Sequence, residues 1–533
     1  MQTPFSSAQQ TIPARVVIGV TGHRALENEN WWIGQIQSAI ETIRGMLPHL
    51  SSTPLSLTVL SPLAEGADRL VVREVLKVPG AMLEVVLPFK QGDYIQDFNG
   101  IDSIEEFKQL LSQAINVTVL PAAYSRTEAY EHVGRYIVDQ CDVLIALWNG
   151  KPAAGKGGTE EIVQYARKTK CPLIWIQTQE KGQAVFELGR GLNPQPFDNL
   201  DRYNKERINP VEFNNQFKTY YDFLSIEAER ARFSFDDLTA TLKCVLGCYV
   251  RADNLALRFQ RLHFRADSVV YVLALAAVII ATFQILFLPD LPIILMLEII
   301  LMLTVLTIVI ISRRMEWHSR WIDYRFLAER FRSALFMLVA GIDVTTLRPP
   351  RHLSLAYSPR DWIVTAFLSA WRQRPKSANL EPFLSDGMRK FVCDAWLDEQ
   401  ISYHNDASRR NYTRYHTMNI ASYIMFGLTI GAAFLDIANI GSKFMEKVFS
   451  FMAIVSPAVA GSITAIRMQR DYRRNSMRSA EMVRHLTELK DKMLMAPDYD
   501  SFIRLLKETE ETMLHENEDW RVIVKFHMPE VPV

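Results

Sequence analysis

Three short stretches in the first third of the chain carry residues suited to holding an anion. The first is Gly19-Val20-Thr21-Gly22-His23-Arg24. Its glycines let backbone come close to a ligand, and Thr21 and Arg24 supply donors. The second is Ser61-Pro62-Leu63-Ala64-Glu65-Gly66-Ala67-Asp68-Arg69, and the third is Gly155-Lys156-Gly157-Gly158-Thr159-Glu160-Glu161. The third follows Trp148-Asn149-Gly150 and opens a helix, and a helix N-terminus behind glycines is a ready phosphate site. Any strand-to-helix joint needs a glycine turn and a cap, so each stretch alone is weak. Together at one sheet edge they point to a pocket lined by Gly19, Thr21, Gly22, His23, Arg24, Glu65, Gly66, Asp68, Arg69, Gly157, Gly158, Thr159, Glu160 and Glu161. None is a Walker loop or a GxGxxG fingerprint in its proper place. His23 reads as a polar wall or ribose contact more readily than as a base. Glu160 and Glu161 read equally well as a catalytic pair or as acids favourably placed at a helix start. Arg126 and Arg135 reach a phosphate or face solvent with equal ease. No catalytic residue is assigned.

The elements that would position these stretches alternate. Continuous apolar runs at Val16–Val20, Leu57–Leu60, Leu83–Leu87, Val117–Leu120, Asp142–Trp148 and Pro172–Ile176 read as strands buried on both faces. Amphipathic stretches at Trp31–Met46, Ala67–Leu76, Ser103–Ala114, Thr127–Gln140 and Thr159–Lys168 read as the helices between them. The pattern predicts an α/β doubly wound parallel sheet, Rossmann-like, over residues 15–178, with its ligand at the carboxyl ends of the strands.

The rest of the chain has a different character. Val269 to Leu288 contains no formal charge and is long enough, at about 1.5 Å per residue, to cross a hydrocarbon core of about 30 Å. Pro289-Asp290-Leu291-Pro292 then turns the chain tightly into Ile293–Ile311, interrupted only by Glu298. A second pair follows: Met418–Ala438, apolar except for Asn419 and Asp436, and Val448–Ile466, which contains Pro457, joined by Asn439–Lys447. An α-helical membrane domain with four transmembrane helices is the expectation. Arg258, Arg261 and Arg265, Arg313, Arg314 and Arg320, Arg409, Arg410 and Arg414, and Arg467, Arg470, Arg473 and Arg474 flank the span ends away from the hairpin tips. Basic flanks stay in the cytosol, which places both termini and the middle connection there. Glu298, about 9 Å inside Pro292 at helical rise, is either a glutamate near the outer surface or, in an oligomer, a pore-lining acid.

The two hairpins look duplicated. Asp253, Arg261 and His263 recur as Asp406, Arg414 and His416, a displacement of 153. Asp323-Tyr324-Arg325 recurs as Asp471-Tyr472-Arg473, and Ala328-Glu329 with Arg332 as Ala480-Glu481 with Arg484. The resulting division is residues 15–178; a linker or peripheral region, 179–250; the first hairpin module, 251–340; a connector, 341–395, with an amphipathic helix at Trp362–Trp371 that would lie at the membrane interface; the second module, 396–490; and a tail, 491–533. Phe233 to Ala266 reads as a helix running into the first span.

Lys+Arg and Asp+Glu both number 59, and this zero net charge disfavours a bulk nucleic-acid binder. Cys141, Cys171, Cys244, Cys248 and Cys393 form no zinc spacing and read as reduced structural thiols. Met1 to Gln10 lacks the apolar core of a signal peptide. The spans lack the broken polar helices usual in transporters.

GVTGHR, LSPLAEGADRL and CDVLIALWNGKPAAGKGGTEEIVQYAR resemble the SLOG superfamily, the fold shared by LOG phosphoribohydrolases and DprA-type proteins. Asp142, Gly157, Gly158 and Thr159 match the D…GGxGT-like part of its pattern. LOG hydrolases resemble PGGxGTxxE, whereas Ile162 stands three residues after Thr159, with Glu161 the nearest acid. Their Met-x-x-Arg-Lys motif has no counterpart before Asp142. The membrane part resembles the SLATT family of two-span effector modules, on Trp317, Trp321-Ile322-Asp323-Tyr324-Arg325 and Ala328-Glu329, and on Trp396 to His404. The pairing implies a sensor and an effector of bacterial antiphage defence in the cell membrane. The front domain would bind a signalling nucleotide of unidentified kind, with no cofactor or metal, and gate a membrane-disrupting or pore-forming homo-oligomer. Membrane lipid and a nucleotide-producing enzyme encoded nearby are the implied partners, and nucleic acid is not one. The alternative is a membrane-tethered LOG-like nucleotide hydrolase.

Overall fold

The computed structural model describes residues 11–26, 29–46, 50–121, 123–151, 158–177, 184–187, 195–291, 293–342, 361–375, 385–438 and 441–525. They fall into two compact units, one of Met1–Arg207 with Tyr357–Gln373 and one of Ile208–Ala356 with Arg374–Val533.

The first unit is the expected α/β sheet. In chain order it runs β1 (Ala14–Gly22), α1 (Glu29–Gly45), β2 (Leu55–Ser61), α2 (Ala67–Leu76), β3 (Met82–Leu87), α3 (Gln91–Tyr94), α4 (Ile101–Ser112), β4 (Ala114–Val119), α5 (Arg126–Gln140), β5 (Val143–Trp148), α6 (Thr159–Thr169), β6 (Leu173–Gln177), β7 (Val185–Glu187) and α7 (Gln195–Lys205). The seven strands lie in the order β4-β3-β2-β1-β5-β6-β7. All pairings are parallel except that of β7 with β6. Val16, Val17, Ile18 and Val20 of β1 and Val143 to Leu147 of β5 are buried. Branched side chains with apolar neighbours on both faces favour a central parallel strand over a helix. The chain winds outward from β1 to β4 and then returns to place β5 on the other side of β1. Strand order therefore reverses between β1 and β5, the crevice where doubly wound folds bind ligands.

The sequence did not foresee β7, whose three residues are too few to show periodicity. It is held by Arg167, whose Nε and Nη2 donate to the two Glu187 carboxylate oxygens at 2.8 and 2.7 Å. The region 179–250 contains β7, α7, α8 (Pro210–Ala231) and the start of α9 (Thr239–Phe287). Asn204 on α7 accepts from the Ile12 amide at 3.1 Å and donates to the Ile12 carbonyl at 2.7 Å.

The connector's amphipathic helix, α12 (Trp362–Arg372), forms as expected, but its apolar face lies in the α/β unit. Trp362, Ile363, Phe367 and Trp371 are buried there. The Ser369 hydroxyl donates to the Pro13 carbonyl at 2.7 Å. Arg372 Nε stands 2.6 Å from Glu84 Oε1, which Arg15 meets from the other side at 2.9 Å. A face already covered by protein has no apolar surface left for a membrane interface.

The second unit is helical. It contains α8 and α9, then α10 (Ile293–Arg314), α11 (Trp317–Val339), α13 (Asp386–Val392), a π-helical turn (Cys393–Asp398), α14 (Glu399–Ile437), α15 (Lys443–Gln469), α16 (Tyr472–Leu494) and α17 (Tyr499–Lys525). Four helical stretches are long and apolar enough to cross a membrane: Asp236–Phe287, Ile293–Val339, Asp386–Ile437 and Lys443–Leu494. At about 1.5 Å per residue, the 49 residues of α9 run unbroken for about 74 Å, from well before the span to its end. The link between the second pair is shorter than Asn439–Lys447, because α15 already begins at Lys443.

The duplication has a geometric counterpart. Each hairpin passes into its following helix through one acidic residue in the left-handed conformation, Glu316 (φ 51°) and Asp471 (φ 46°). Buried charge joins the helices beyond the first hairpin. Arg325 meets Asp253 on α9 at 2.9 Å and Glu329 at 2.6 Å. Arg332 also pairs with Glu329 and donates to Gln400 Oε1 on α14 at 2.8 Å. Arg470, after the last span, donates to the Phe264 carbonyl at 2.9 Å and to Ser268 Oγ at 3.2 Å, and lies over the Phe264 ring. These contacts tie one hairpin module to the other.

Removing one partner of a buried ion network strands the rest. Arg325→Met removes from Asp253 the guanidinium that hydrogen-bonds it and should cost about 3 kcal/mol. Thermal melting of the detergent-solubilised protein checks this; an unchanged melting temperature would show the network to be dispensable.

Candidate functional site

The carboxyl ends of β1, β2, β3 and β5 converge, and the loops leaving them form the candidate site. The β1 loop is fixed first. His23 N donates to Leu147 O at 3.1 Å, its carbonyl accepts from Ala67 N at 3.0 Å, and its ring Nε2 accepts from Asn149 N at 3.1 Å. The ring thus ties β1 to the loop after β5 through its Nε2 lone pair. Gly22 sits where the two loops touch: a Cβ there would lie 2.4 Å from Ala67 Cβ and 2.8 Å from Leu147 O. Gly66, at φ +80°, is tighter still, since a Cβ would lie 2.1 Å from the Arg24 carbonyl oxygen. Both glycines serve the packing of loop on loop.

Arg24 leaves this frame at the surface, its guanidinium 5.4 Å from the centroid of the Tyr130 ring on α5. The Tyr130 hydroxyl donates to Asp97 Oδ2, which also accepts from Arg126 Nη2 at 2.6 Å. Arg126 Nη2 donates as well to the Asp93 carbonyl at 3.1 Å, and the guanidinium lies 4.5 Å from the Phe89 ring centroid. Partial burial works against ionisation of Asp97, but the Arg126 and Tyr130 hydrogen bonds outweigh it and hold the carboxyl below its ordinary range. Tyr94 is fully buried among Phe98, Phe107 and Tyr130, and its hydroxyl has no hydrogen-bond partner among the described residues.

Asp68 is the second titratable feature. Burial pushes its carboxyl up to about 7, against the opposing pull of the Ala64 amide, Arg24 and Arg69. A carboxyl that changes charge near neutrality at the mouth of a strand is a marker of functional sites.

The other expected site residues divide. Thr21 is the next-to-last residue of β1, and Gly158 is the N-cap of α6, with Thr159, Glu160 and Glu161 in its first turn. Gly157 lies outside the described residues. Gly19 sits in the middle of β1 beneath α5; a Cβ there would lie 2.7 Å from Ile137 Cγ2 and 2.8 Å from Cys141 Sγ. Glu65 accepts from the Asn99 amide at 2.7 Å and from the Ser103 hydroxyl, bonds that outweigh burial and hold it below the ordinary range. Arg69 is buried, with its Nε on Leu63 O at 3.0 Å and its Nη1 on Ser103 O at 2.9 Å and Glu106 Oε2 at 3.0 Å. Glu65 and Arg69 therefore staple the β2–α2 loop to α4. Arg135 pairs with Glu131 at 2.5 Å and with Glu161 at 3.6 Å.

Sequence reasoning missed Phe89, Tyr94 and Asp97 in the loop after β3, and Tyr130 on α5. The signal was present: in a parallel sheet every strand sends its carboxyl-end loop to the same edge. The loop after β3 escaped attention because its glycines, Gly92 and Gly100, do not cluster.

The chemistry assembled around Asp97 is the Arg24 and Arg126 guanidiniums and the Tyr130 phenol, beside the buried rings of Tyr94, Phe98 and Phe107. This set suits an anionic ligand with a planar ring. Among the described residues, no group of three or more His, Cys, Asp or Glu side chains is placed to hold a metal ion.

The Asp68 shift has a signed consequence. An unfolded aspartic acid titrates near 3.9, so the folded protein takes up a proton between about pH 4 and 7. The stability this contributes is complete below about pH 4 and lost as pH rises through about 7. Asp68→Asn keeps an acceptor for the Ala64 amide and removes the charge. It should melt higher than the unsubstituted protein at pH 8, by a gap that closes as pH falls toward 4. A gap independent of pH in thermal melts would contradict the buried-carboxyl assignment.

Comparison with protein-family models and with curated protein sequences finds no match.

Proposed function

We propose that this protein is a nucleotide-sensing membrane effector: the α/β unit binds a phosphorylated nucleotide-type ligand, and the helical unit responds by permeabilising the membrane. The observation that carries the reading is the convergence of Arg24, Tyr130 and Arg126 at the carboxyl-end edge of a doubly wound sheet, in a chain with four membrane-length helices. The motif resemblances to SLOG sensors and SLATT effectors support it, and with it a role in bacterial nucleotide-signalled defence at the cell membrane.

The route from site to membrane is covalent. The chain leaves the α/β unit at Arg207, and α9 then carries into the first span without a break. Between the hairpins it returns to donate α12 to the α/β unit. A ligand that prefers one arrangement of the α/β unit thereby biases the starts of both hairpin modules; only such a difference in affinity can shift an equilibrium. The arginine flanks put both termini on the cytosolic side, where the ligand would be met. Four spans are too few for a wide aqueous pore, so copies assemble. Glu298 is partly exposed on α10 beside the exposed Leu297, Ile299 and Ile300, where a neighbouring copy would meet it.

Arg24→Ala removes a charged donor and should weaken nucleotide binding by about 1.5–3 kcal/mol. Calorimetry on the full-length protein in detergent, over a panel that includes cyclic and ADP-ribose nucleotides, checks it. If no nucleotide in the panel binds, the sensor reading fails. If nucleoside monophosphates bind and free base is released, the hydrolase alternative replaces it, with Asp68 as its first candidate acid.

A further inference from the structure

The donors at the candidate site are already engaged by an anion of the protein's own. Asp97 Oδ2 receives two hydrogen bonds, one from Arg126 Nη2 and one from the Tyr130 hydroxyl. Arg24, from a different loop, stands over the same Tyr130 ring. An oxygen with a guanidinium donor, a phenol donor and a second guanidinium nearby has the surroundings a phosphate oxygen takes in a binding site. Asp97 reaches this position from a single 3-10 turn, Ile95–Asp97, between α3 and α4, and its side chain keeps access to solvent, at 22% exposure.

A phosphate and the Asp97 carboxylate cannot share these donors, because two anions in one donor set repel. We propose that Asp97 is an internal stand-in for the ligand's phosphate, holding Arg126 and Tyr130 in the ligand-free protein and giving them up when a phosphorylated ligand arrives. The proposal rests on reading this edge as a phosphate-binding site and adds its regulation. Displacement frees the 3-10 turn and with it residues 91–100, a local release driven only by a ligand whose anion outcompetes a carboxylate. A nucleoside without phosphate lacks the group that would displace Asp97 and leaves the turn in place.

An ordinary ion pair holding a loop predicts the opposite sign for one substitution. If Asp97 merely anchors the loop, Asp97→Asn loosens the site and weakens anion binding. If Asp97 competes with the ligand, Asp97→Asn strengthens it. The probes are inorganic pyrophosphate and adenosine, titrated into full-length protein in detergent by calorimetry. The expected result is pyrophosphate bound about tenfold tighter by Asp97→Asn than by the unsubstituted protein, and adenosine binding unchanged. Asp97→Asn with Arg126→Gln should lose that gain. A folded Asp97→Asn protein that binds pyrophosphate no tighter overturns the proposal, as does one in which neither protein binds it. Should Asp97→Asn not fold, hydrogen exchange on the unsubstituted protein decides: saturating pyrophosphate should speed exchange across residues 91–100, and slowed or unchanged exchange there overturns it. A gain for pyrophosphate with no nucleotide binding anywhere in the panel would retain the stand-in and remove the nucleotide reading.

Discussion

The position of β1 between β2 and β5 is the constraint from which the candidate site follows. Its register pairs Ile18 with Val59 on one side and Val143 on the other, and its buried branched residues make any other placement costly in exposed apolar area. Once β1 is central, its carboxyl-end loop must pass between the loops of its two neighbours. Space there is small enough that Gly22 and Gly66 admit no side chain. His23 then closes the joint with both backbone groups and its ring, which leaves Arg24 as the first residue of that loop able to reach outward.

The helical unit obeys a second constraint, that of hydrocarbon. Backbone in a membrane interior must satisfy its own hydrogen bonds, so apolar segments of this length stay helical to their ends. Polar interactions are therefore concentrated beyond the span ends. The Asp253–Arg325–Glu329–Arg332–Gln400 network and the Arg470 contacts to Phe264 and Ser268 lie there. They join the two hairpins beyond the apolar stretches.

Legibility in the sequence followed physical range. Five of the parallel strands and the four membrane-length helices were readable because each is a run of apolar residues; β4, with Asn116 and Thr118 in it and Val117 and Val119 exposed, is an edge strand rather than one buried on both faces. β7 was not, since three residues paired at an edge carry no pattern of their own. The role of α12 was half readable: its amphipathic face announces a buried helix, but Trp362 and Trp371 would look the same against lipid or against a sheet. At the site, glycine-rich loops announced Gly22, His23, Arg24 and Gly66. Asp97 and Tyr130 are 33 residues apart and become partners only through the sheet order. The partners of Arg69 and Glu65 were not legible, because charge beside a glycine looks the same in sequence whether it faces a ligand or a neighbouring helix.

The account stands most directly on whether ligand binding in the α/β unit changes the membrane. Full-length protein reconstituted into sealed vesicles loaded with an ion-sensitive dye gives that measurement. The account predicts no leak without ligand, a leak on adding a nucleotide that calorimetry has shown to bind, and no leak when the Arg24→Ala protein is used at the same nucleotide concentration. Vesicles that remain sealed while the nucleotide is bound to well-folded, oligomeric protein would contradict it.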